Sequence, residues 1–240
     1  MTAAATPMTA EEIAAEVARL GPWITGFTAA GRDFGGSYFA EHDARAKDFV
    51  AHLRSRRPDA ARILECGCLD GGHTAVLAGG LPLATIVATD VREDNLRRAA
   101  LLARVRGLTN IAFVADDLEE PAASLAGAYD AIFCVGLLYH LRDPAKFLRR
   151  CAASSPLLWL WTVYCAEDAA TLLEGPHRGR LYAEPVDHPL SAVRPESFFP
   201  TLGSLVEMTL FAGYRRVEIL NRELTANGNG PAVLLCASRP

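Results

Sequence analysis

The run Ile63-Leu64-Glu65-Cys66-Gly67-Cys68-Leu69-Asp70-Gly71-Gly72-His73-Thr74 places an acid at the end of an apolar stretch, then glycines, then the start of a second periodic segment. Glycines let a ligand approach the backbone, and a helix N-terminus presents unpaired N–H groups. A turn that only joins strand to helix is the plain alternative, because many folds have glycine-rich first turns. Acids at two further strand ends favour a ligand. Asp90 ends the next apolar run, ATIVATD, at a distance that suits a carboxylate accepting ribose hydroxyls, and Asp116-Asp117 end the third, NIAFVADD. Acids at three successive strand ends would converge on one crevice and hold a nucleoside without a phosphate-binding cation. The spacing is not G-x-G-x-x-G and no basic group is placed for a pyrophosphate, so a dinucleotide is disfavoured.

The elements that must position these residues alternate regularly. Thr9 and Glu12 fit a capping box for a first helix that Gly21-Pro22 stops, and a second helix is expected over about 41–56. Between them GRDFGGSYF reads as a flexible aromatic loop, either a lid or simple packing. From residue 61, ARILEC, ATIVATD, NIAFVAD, YDAIFCVG and LLWLWTVY read as strands, separated by helices over HTAVLAGG, 93–106 and PAKFLRRCA. A helix near 201–213 leads to RRVEIL and AVLLCAS, two strands joined by TANGNGP as an antiparallel hairpin. The expected fold is α/β and Rossmann-like: a seven-stranded, mostly parallel sheet with an antiparallel last strand and helices on both faces. It is read as a single domain over 1–240. Its parts are an N-terminal helical lid region (1–58), a cofactor-binding core (59–164), a substrate-side insertion (165–200) and a C-terminal helix and hairpin (201–240).

Composition narrows the function. The chain has 240 residues, half of them hydrophobic and 22% charged, with a formal net charge of -4. That balance lacks the basic footprint of most nucleic-acid binders and favours a small-molecule substrate. No apolar run approaches the roughly 18–20 residues of a membrane span, and the N-terminus does not read as a secretory signal. Six scattered cysteines suit reduced thiols in a cytoplasmic protein, and the lone Cys66-x-Cys68 pair gives no zinc site. The oligomeric state is left open, a homodimer included.

With these residues in view, the chain resembles the class I S-adenosylmethionine-dependent methyltransferases, in the subgroup whose fourth strand runs into "G-x-L-Y/H-H-L-x-D-P". Here that stretch is Gly136-Leu137-Leu138-Tyr139-His140-Leu141-Arg142-Asp143-Pro144. The resemblance covers about 61–163 and implies S-adenosylmethionine as cofactor. It places Glu65 and Gly67 near the methionine part, Asp90 on the ribose, Asp116 on the adenine amino group and the Asp117 backbone on the ring nitrogen. Cys134, Val135 and Gly136 would border the methionine end. The expected cofactor set is completed by Cys68, Leu69, Gly71 and Val91. One position departs from the family: Leu69 stands where glycine is common. Leucine does not readily take a positive φ, so the turn is expected to be accommodated around it.

A sulfonium methyl is already activated, so transfer needs alignment and, often, removal of a proton. His140 is the candidate base or acceptor-orienting group; fixing the turn into the following helix is its bland alternative. Tyr38, Tyr139, His177 and Tyr182 are the expected substrate-side residues. A metal site from His177, Glu184 and His188 is disfavoured, and no metal is expected. A His base helps a hydroxyl most, which favours oxygen over nitrogen as acceptor. A nucleic-acid modifier and a cofactor-binding protein without turnover are the alternatives.

Overall fold

The first helix forms where its cap predicts. In this computed structural model, which describes residues 7–185, 190–191, 193–224 and 230–239, α1 spans Ala10–Arg19. Thr9 and Glu12 complete the reciprocal capping box. Seven strands hydrogen-bond in the order β11 (Arg216–Glu223), β12 (Ala232–Ser238), β7 (Leu157–Val163), β6 (Ala131–Val135), β3 (Arg62–Cys66), β4 (Thr85–Asp90) and β5 (Ile111–Ala115). The pairs β3/β6, β4/β5 and β6/β7 are parallel, and β12 lies antiparallel to both β7 and β11. This is the α/β, mostly parallel sheet with an antiparallel last strand that the alternation predicts. Among the described residues no helix is long and apolar enough to cross a membrane. Contacts divide the chain into two compact units, Met1–Ala61 with Cys68–Ala115, and Arg62–Gly67 with Asp116–Pro240.

The first unit holds α1, β1 (Gly26–Ala29), β2 (Arg32–Gly35), α2 (Ala44–Arg56), α3 (Gly72–Gly80), β4 (Thr85–Asp90), α4 (Glu93–Val105) and β5 (Ile111–Ala115). GRDFGGSYF is not a flexible loop: its first half is the second strand of a hairpin. Ala30 and Gly31 both take positive φ, 47° and 73°, the geometry of a two-residue turn whose twist matches antiparallel strands. Phe34 from this hairpin is buried with Phe27, Trp23, Ile13, Leu101 and Leu102. Helix α4 opens with Glu93 and Asp94 and closes with Arg104, in line with its dipole. Gly107, at φ 66°, then ends it.

The second unit holds β3 (Arg62–Cys66), β6 (Ala131–Val135), α5 (Pro144–Ser154), β7 (Leu157–Val163), β8 (Leu172–Glu174), β9 (His177–Ala183), β10 (Glu196–Pro200), α6 (Leu202–Phe211), β11 (Arg216–Glu223) and β12 (Ala232–Ser238). Every residue of β6 and β7 is buried, as a central strand covered on both sides requires. The polar segment after β7 forms a separate three-stranded antiparallel sheet, β10-β9-β8. Strands β11 and β12 pair as the expected hairpin; the connection at 225–229 lies outside the described residues.

Candidate active site

The glycine turn is built from both ends. The Cys68 N–H donates to the Thr89 carbonyl at 2.8 Å, and the Gly71 N–H donates to the Cys68 carbonyl at 2.9 Å. Leu69 sits at φ 50°, so the turn is not accommodated around it: leucine itself takes the left-handed conformation. That costs a non-glycine residue roughly 1–2 kcal/mol. The Leu69 N–H donates to Asp90 Oδ2 at 3.0 Å, a charge-assisted bond strong enough to offset the strain. Gly71 meets a different need. A Cβ there would lie 2.7 Å from the Cβ of Ala99 on α4, and its φ is 86°. Helix packing and backbone geometry therefore require glycine at this position whatever binds nearby.

Asp90 is buried at the end of β4. Oδ1 accepts from the Arg92 N–H at 2.8 Å and from Asn95 Nδ2 at 3.1 Å, while Oδ2 accepts from Leu69. Burial raises its pKa above the ordinary carboxylate value, against the pull of those three donors. An ionised carboxylate offers about four acceptor positions, so this one retains capacity for a further donor. Val91, next in the chain, is partly exposed.

Two neighbours of the turn escaped the sequence reading. Asp70 is buried and accepts from the N–H groups of Ile24 and Thr25, at 2.7 and 2.8 Å, and from the Thr25 hydroxyl. His73, in the first turn of α3, joins Tyr38 and Asp43. Its Nε2 lies 2.9 Å from the Tyr38 hydroxyl and 2.8 Å from Asp43 Oδ2, and Arg45 holds the same carboxylate. Burial works against the Asp43 charge, but hydrogen bonds from His73, Arg45 and Tyr38 outweigh it and hold its pKa well below the usual range. Burial and the Asp43 charge push the Tyr38 phenol upward. Tyr38 is thus a donor within a polar network and unsuited to act as a base.

In the second unit, Glu65 is buried at the end of β3 and Gly67 follows at φ 75°. Asp116 Oδ2 caps the Ser124 N–H at 2.8 Å, and Asp117 Oδ1 accepts from the Glu119 N–H at 3.0 Å. Cys134 and Val135 are both buried in β6. The Cys134 thiol lies beside Cys66, whose pKa burial and that thiol raise, so its side chain belongs to the core and only its backbone is available to a ligand. Gly136 has φ 92°, and a Cβ there would meet only the Tyr139 hydroxyl, at 3.8 Å, leaving the backbone open to approach.

His140 ends a 3₁₀ turn after β6. Its Nδ1 lies 3.2 and 3.3 Å from the two carboxylate oxygens of Glu184, which is buried and also accepts from Ser197 Oγ at 2.7 Å. A carboxylate facing Nδ1 selects the tautomer with the proton there, which places the basic lone pair on Nε2. The Tyr139 ring lies tilted at 46° against the His140 imidazole, centroids 4.2 Å apart, and meets the edges of Trp161 and Phe199 at 6.0 and 6.2 Å. Tyr182 stacks on Phe199 at 4.9 Å. Tyr139, His140 and Tyr182 are therefore brought together, with Glu184, Ser197 and Phe199 as members the sequence reading missed in this role.

His177 is not with them. Strand alternation puts residues 177 and 182 of β9 on opposite faces, and His177 is buried against Phe211 of α6. His177 thus does not share the face that carries Tyr182. Of the metal triad weighed from the sequence, Glu184 is engaged by His140 and Ser197, and His188 lies outside the described residues.

The fold is an α/β, mostly parallel sheet, with a glycine turn after its first core strand and a buried acid ending β4. Residues 63–154 match the family described as a methyltransferase domain. The crystallised N-terminal domain of EvdMO1, determined in the presence of SAH and D-fucose, superposes with a TM-score of 0.84 at 28% identity, covering 98% of this chain and 99% of that one. Over residues 63–154 the chain is thus similar to the methyltransferase-domain family, and over nearly its whole length to a domain crystallised with SAH. The ubiquinone biosynthesis O-methyltransferase of Vibrio parahaemolyticus is 33% identical over 92 residues, 38% of each chain. That of Bordetella parapertussis is 33% identical over 106 residues, 42% of this chain and 41% of that one. The chain thus spans only about two fifths of the length of these relatives.

Proposed function

We propose that this chain transfers the methyl group of S-adenosylmethionine to a hydroxyl of a small, sugar-like acceptor, with His140 as general base. The observation that carries the reading is the His140–Glu184–Ser197 chain beside the aromatic side chains of Tyr139, Tyr182 and Phe199. The near full-length likeness to a domain crystallised with SAH and D-fucose supports a sugar hydroxyl, and the O-methyltransferase relatives support oxygen as the acceptor atom.

The residues fit the cofactor. Asp90 would hold the ribose hydroxyls with its remaining acceptor capacity, Asp116 the adenine amino group and the Asp117 backbone the ring nitrogen. Glu65, Gly67 and the backbone from Cys134 to Gly136 would border the methionine end, with Cys68, Leu69 and Val91 lining the turn. When bound, the cofactor supplies an electrophilic methyl on a positively charged sulfur. His140 Nε2 would take the proton of the acceptor hydroxyl, and Glu184 would stabilise the imidazolium that forms. Ser197 holds Glu184 in place. The aromatic side chains present flat apolar surface to the acceptor ring and orient it. The parts read from the sequence, a helical lid region over 1–58, a cofactor-binding core over 59–164, a substrate-side insertion over 165–200 and a C-terminal helix and hairpin over 201–240, act in this proposal as one cytoplasmic catalytic domain. Six free, buried cysteines support a reducing compartment.

The test is a split between binding and turnover. Wild-type protein should release SAH when given S-adenosylmethionine and a panel of deoxyhexoses, free and glycosidically linked. His140→Ala should abolish most of that turnover while calorimetric SAH affinity stays unchanged. Tight SAH binding with no methylated hydroxyl compound across the panel would overturn the proposal.

A further inference from the structure

The stretch after β5, Asp116-Asp117-Leu118-Glu119-Glu120, carries the two aspartates assigned to adenine. Arg194, in the segment leading into β10, reaches three of its acids. Nε donates to Glu119 Oε2 at 2.7 Å, and Nη2 to Glu120 Oε1 at 2.6 Å and to Asp117 Oδ2 at 3.3 Å. The other oxygen of Glu119 accepts from the N–H groups of Arg142 and Asp143, at 2.6 and 3.1 Å, two and three residues beyond His140. Asp143 in turn caps α5 through the Lys146 N–H at 2.8 Å. One carboxylate, only 9% exposed, is thus held both by the acceptor-side insertion and by the turn that bears the proposed base.

Holding the loop's backbone does not require Arg194. Arg150 already donates to the carbonyls of Leu118, Glu119 and Glu120. What Arg194 adds is a connection to the segment before β10 and a fixed placement for the Asp117 and Glu119 side chains. Its side chain is 36% exposed, and ion pairs that open to water contribute little to folding. Its effect belongs to geometry more than to stability.

We propose that Arg194, acting through Glu119, is a positioning residue that couples the Asp116–Asp117 loop to the turn carrying His140, so that cofactor binding and base placement are set together. The proposal rests on the reading of that loop as the adenine contact.

Calorimetry with SAH on wild type, Arg194→Ala, Arg194→Lys and Glu119→Gln tests it, alongside thermal unfolding without SAH and histidine ring NMR. Arg194→Ala should weaken SAH binding by about five- to tenfold. The unfolding midpoint should stay within about 2 °C of wild type. Arg194→Lys should recover part of the affinity, because a point charge cannot bridge three carboxylates as a planar fork does. Glu119→Gln combined with Arg194→Ala should be no worse than Arg194→Ala alone, since both break one connection. The His140 ring signals should shift on SAH addition in wild type and not in Arg194→Ala. Equal SAH affinity in wild type and Arg194→Ala, or the same His140 shift in both, overturns this inference and leaves the cofactor reading standing. A wild-type protein that binds no SAH overturns both.

Discussion

Replacing Glu184 by glutamine probes the proposed base without touching it. Glu184 is buried, with only 2% of its side chain exposed, so alanine would leave the Ser197 hydroxyl and His140 Nδ1 facing a void. Glutamine keeps the volume, and its amide oxygen still accepts from Ser197. Its amide nitrogen, at the position of the second oxygen 3.3 Å from Nδ1, donates to Nδ1 in place of accepting from it, and the ring proton then moves to Nε2. The histidine is then in the tautomer that cannot take a proton from the acceptor. General base catalysis is worth about 10²–10⁴ in rate. The His140–Glu184 distances of 3.2 and 3.3 Å are longer than those of the strongest charge-assisted bonds, about 2.7–2.9 Å. The lower half of that range applies, so Glu184→Gln should lose about 10²–10³ in kcat, or about 3–4 kcal/mol of transition-state stabilisation. Steady-state turnover at saturating S-adenosylmethionine measures the loss, and SAH calorimetry shows whether the cofactor site is intact. A variant within about threefold of wild-type kcat, or one whose loss tracks SAH affinity, would refute the reasoning.

Three further outcomes are expected. Asp90→Asn should weaken SAH binding by about 10- to 100-fold by calorimetry, the scale of one hydrogen bond to a charged acceptor. Because burial raises the Asp90 pKa, wild-type SAH affinity should decline on acidification at a higher pH than an ordinary aspartate would dictate, and Asp90→Asn should lack that decline. Gly71→Ala should destabilise the fold by about 2–4 kcal/mol in urea unfolding, from left-handed strain and the clash with Ala99. Adding Ala99→Gly should restore the part due to the clash. For Asp43, the folded pKa lies below the unfolded one, so its stabilisation is present above about pH 4 and is lost as pH falls toward the folded value. The unfolding midpoint should therefore drop with acid below about pH 4 in wild type and drop less in Asp43→Asn.

The parts of the fold legible in the sequence are those set by local chemistry. The Thr9–Glu12 box lies within one helical turn, and the buried runs ending at Glu65 and Asp90 announce their own strands. The hairpin over 26–35 was harder to read, because its turn uses Ala30, a residue with no preference for the left-handed region, and its strands are only four residues long. Leu69 was misread for the opposite reason: its intrinsic preference is overridden by the hydrogen bond to Asp90, 21 residues on. In the candidate site, His140 and Tyr139 stand in one motif and were visible together. Glu184 is 44 residues from His140 and reaches it through the β8–β10 sheet, whose register no spacing rule gives. His177 shares a polar stretch with Tyr182, and only the parity of β9 separates them. Arg194 finds partners 74 to 77 residues away, so nothing local marks it.

The central claim is tested most directly by following the methyl group itself. Wild-type protein is supplied with S-adenosylmethionine carrying a deuterated methyl and with deoxyhexose acceptors, and the products are read by mass spectrometry and NMR. The account predicts one deuterated methyl ether on a ring hydroxyl, formed in equal amount with SAH and lost in His140→Ala. Label found on nitrogen or carbon, or SAH formed at the same rate without an acceptor, would contradict it.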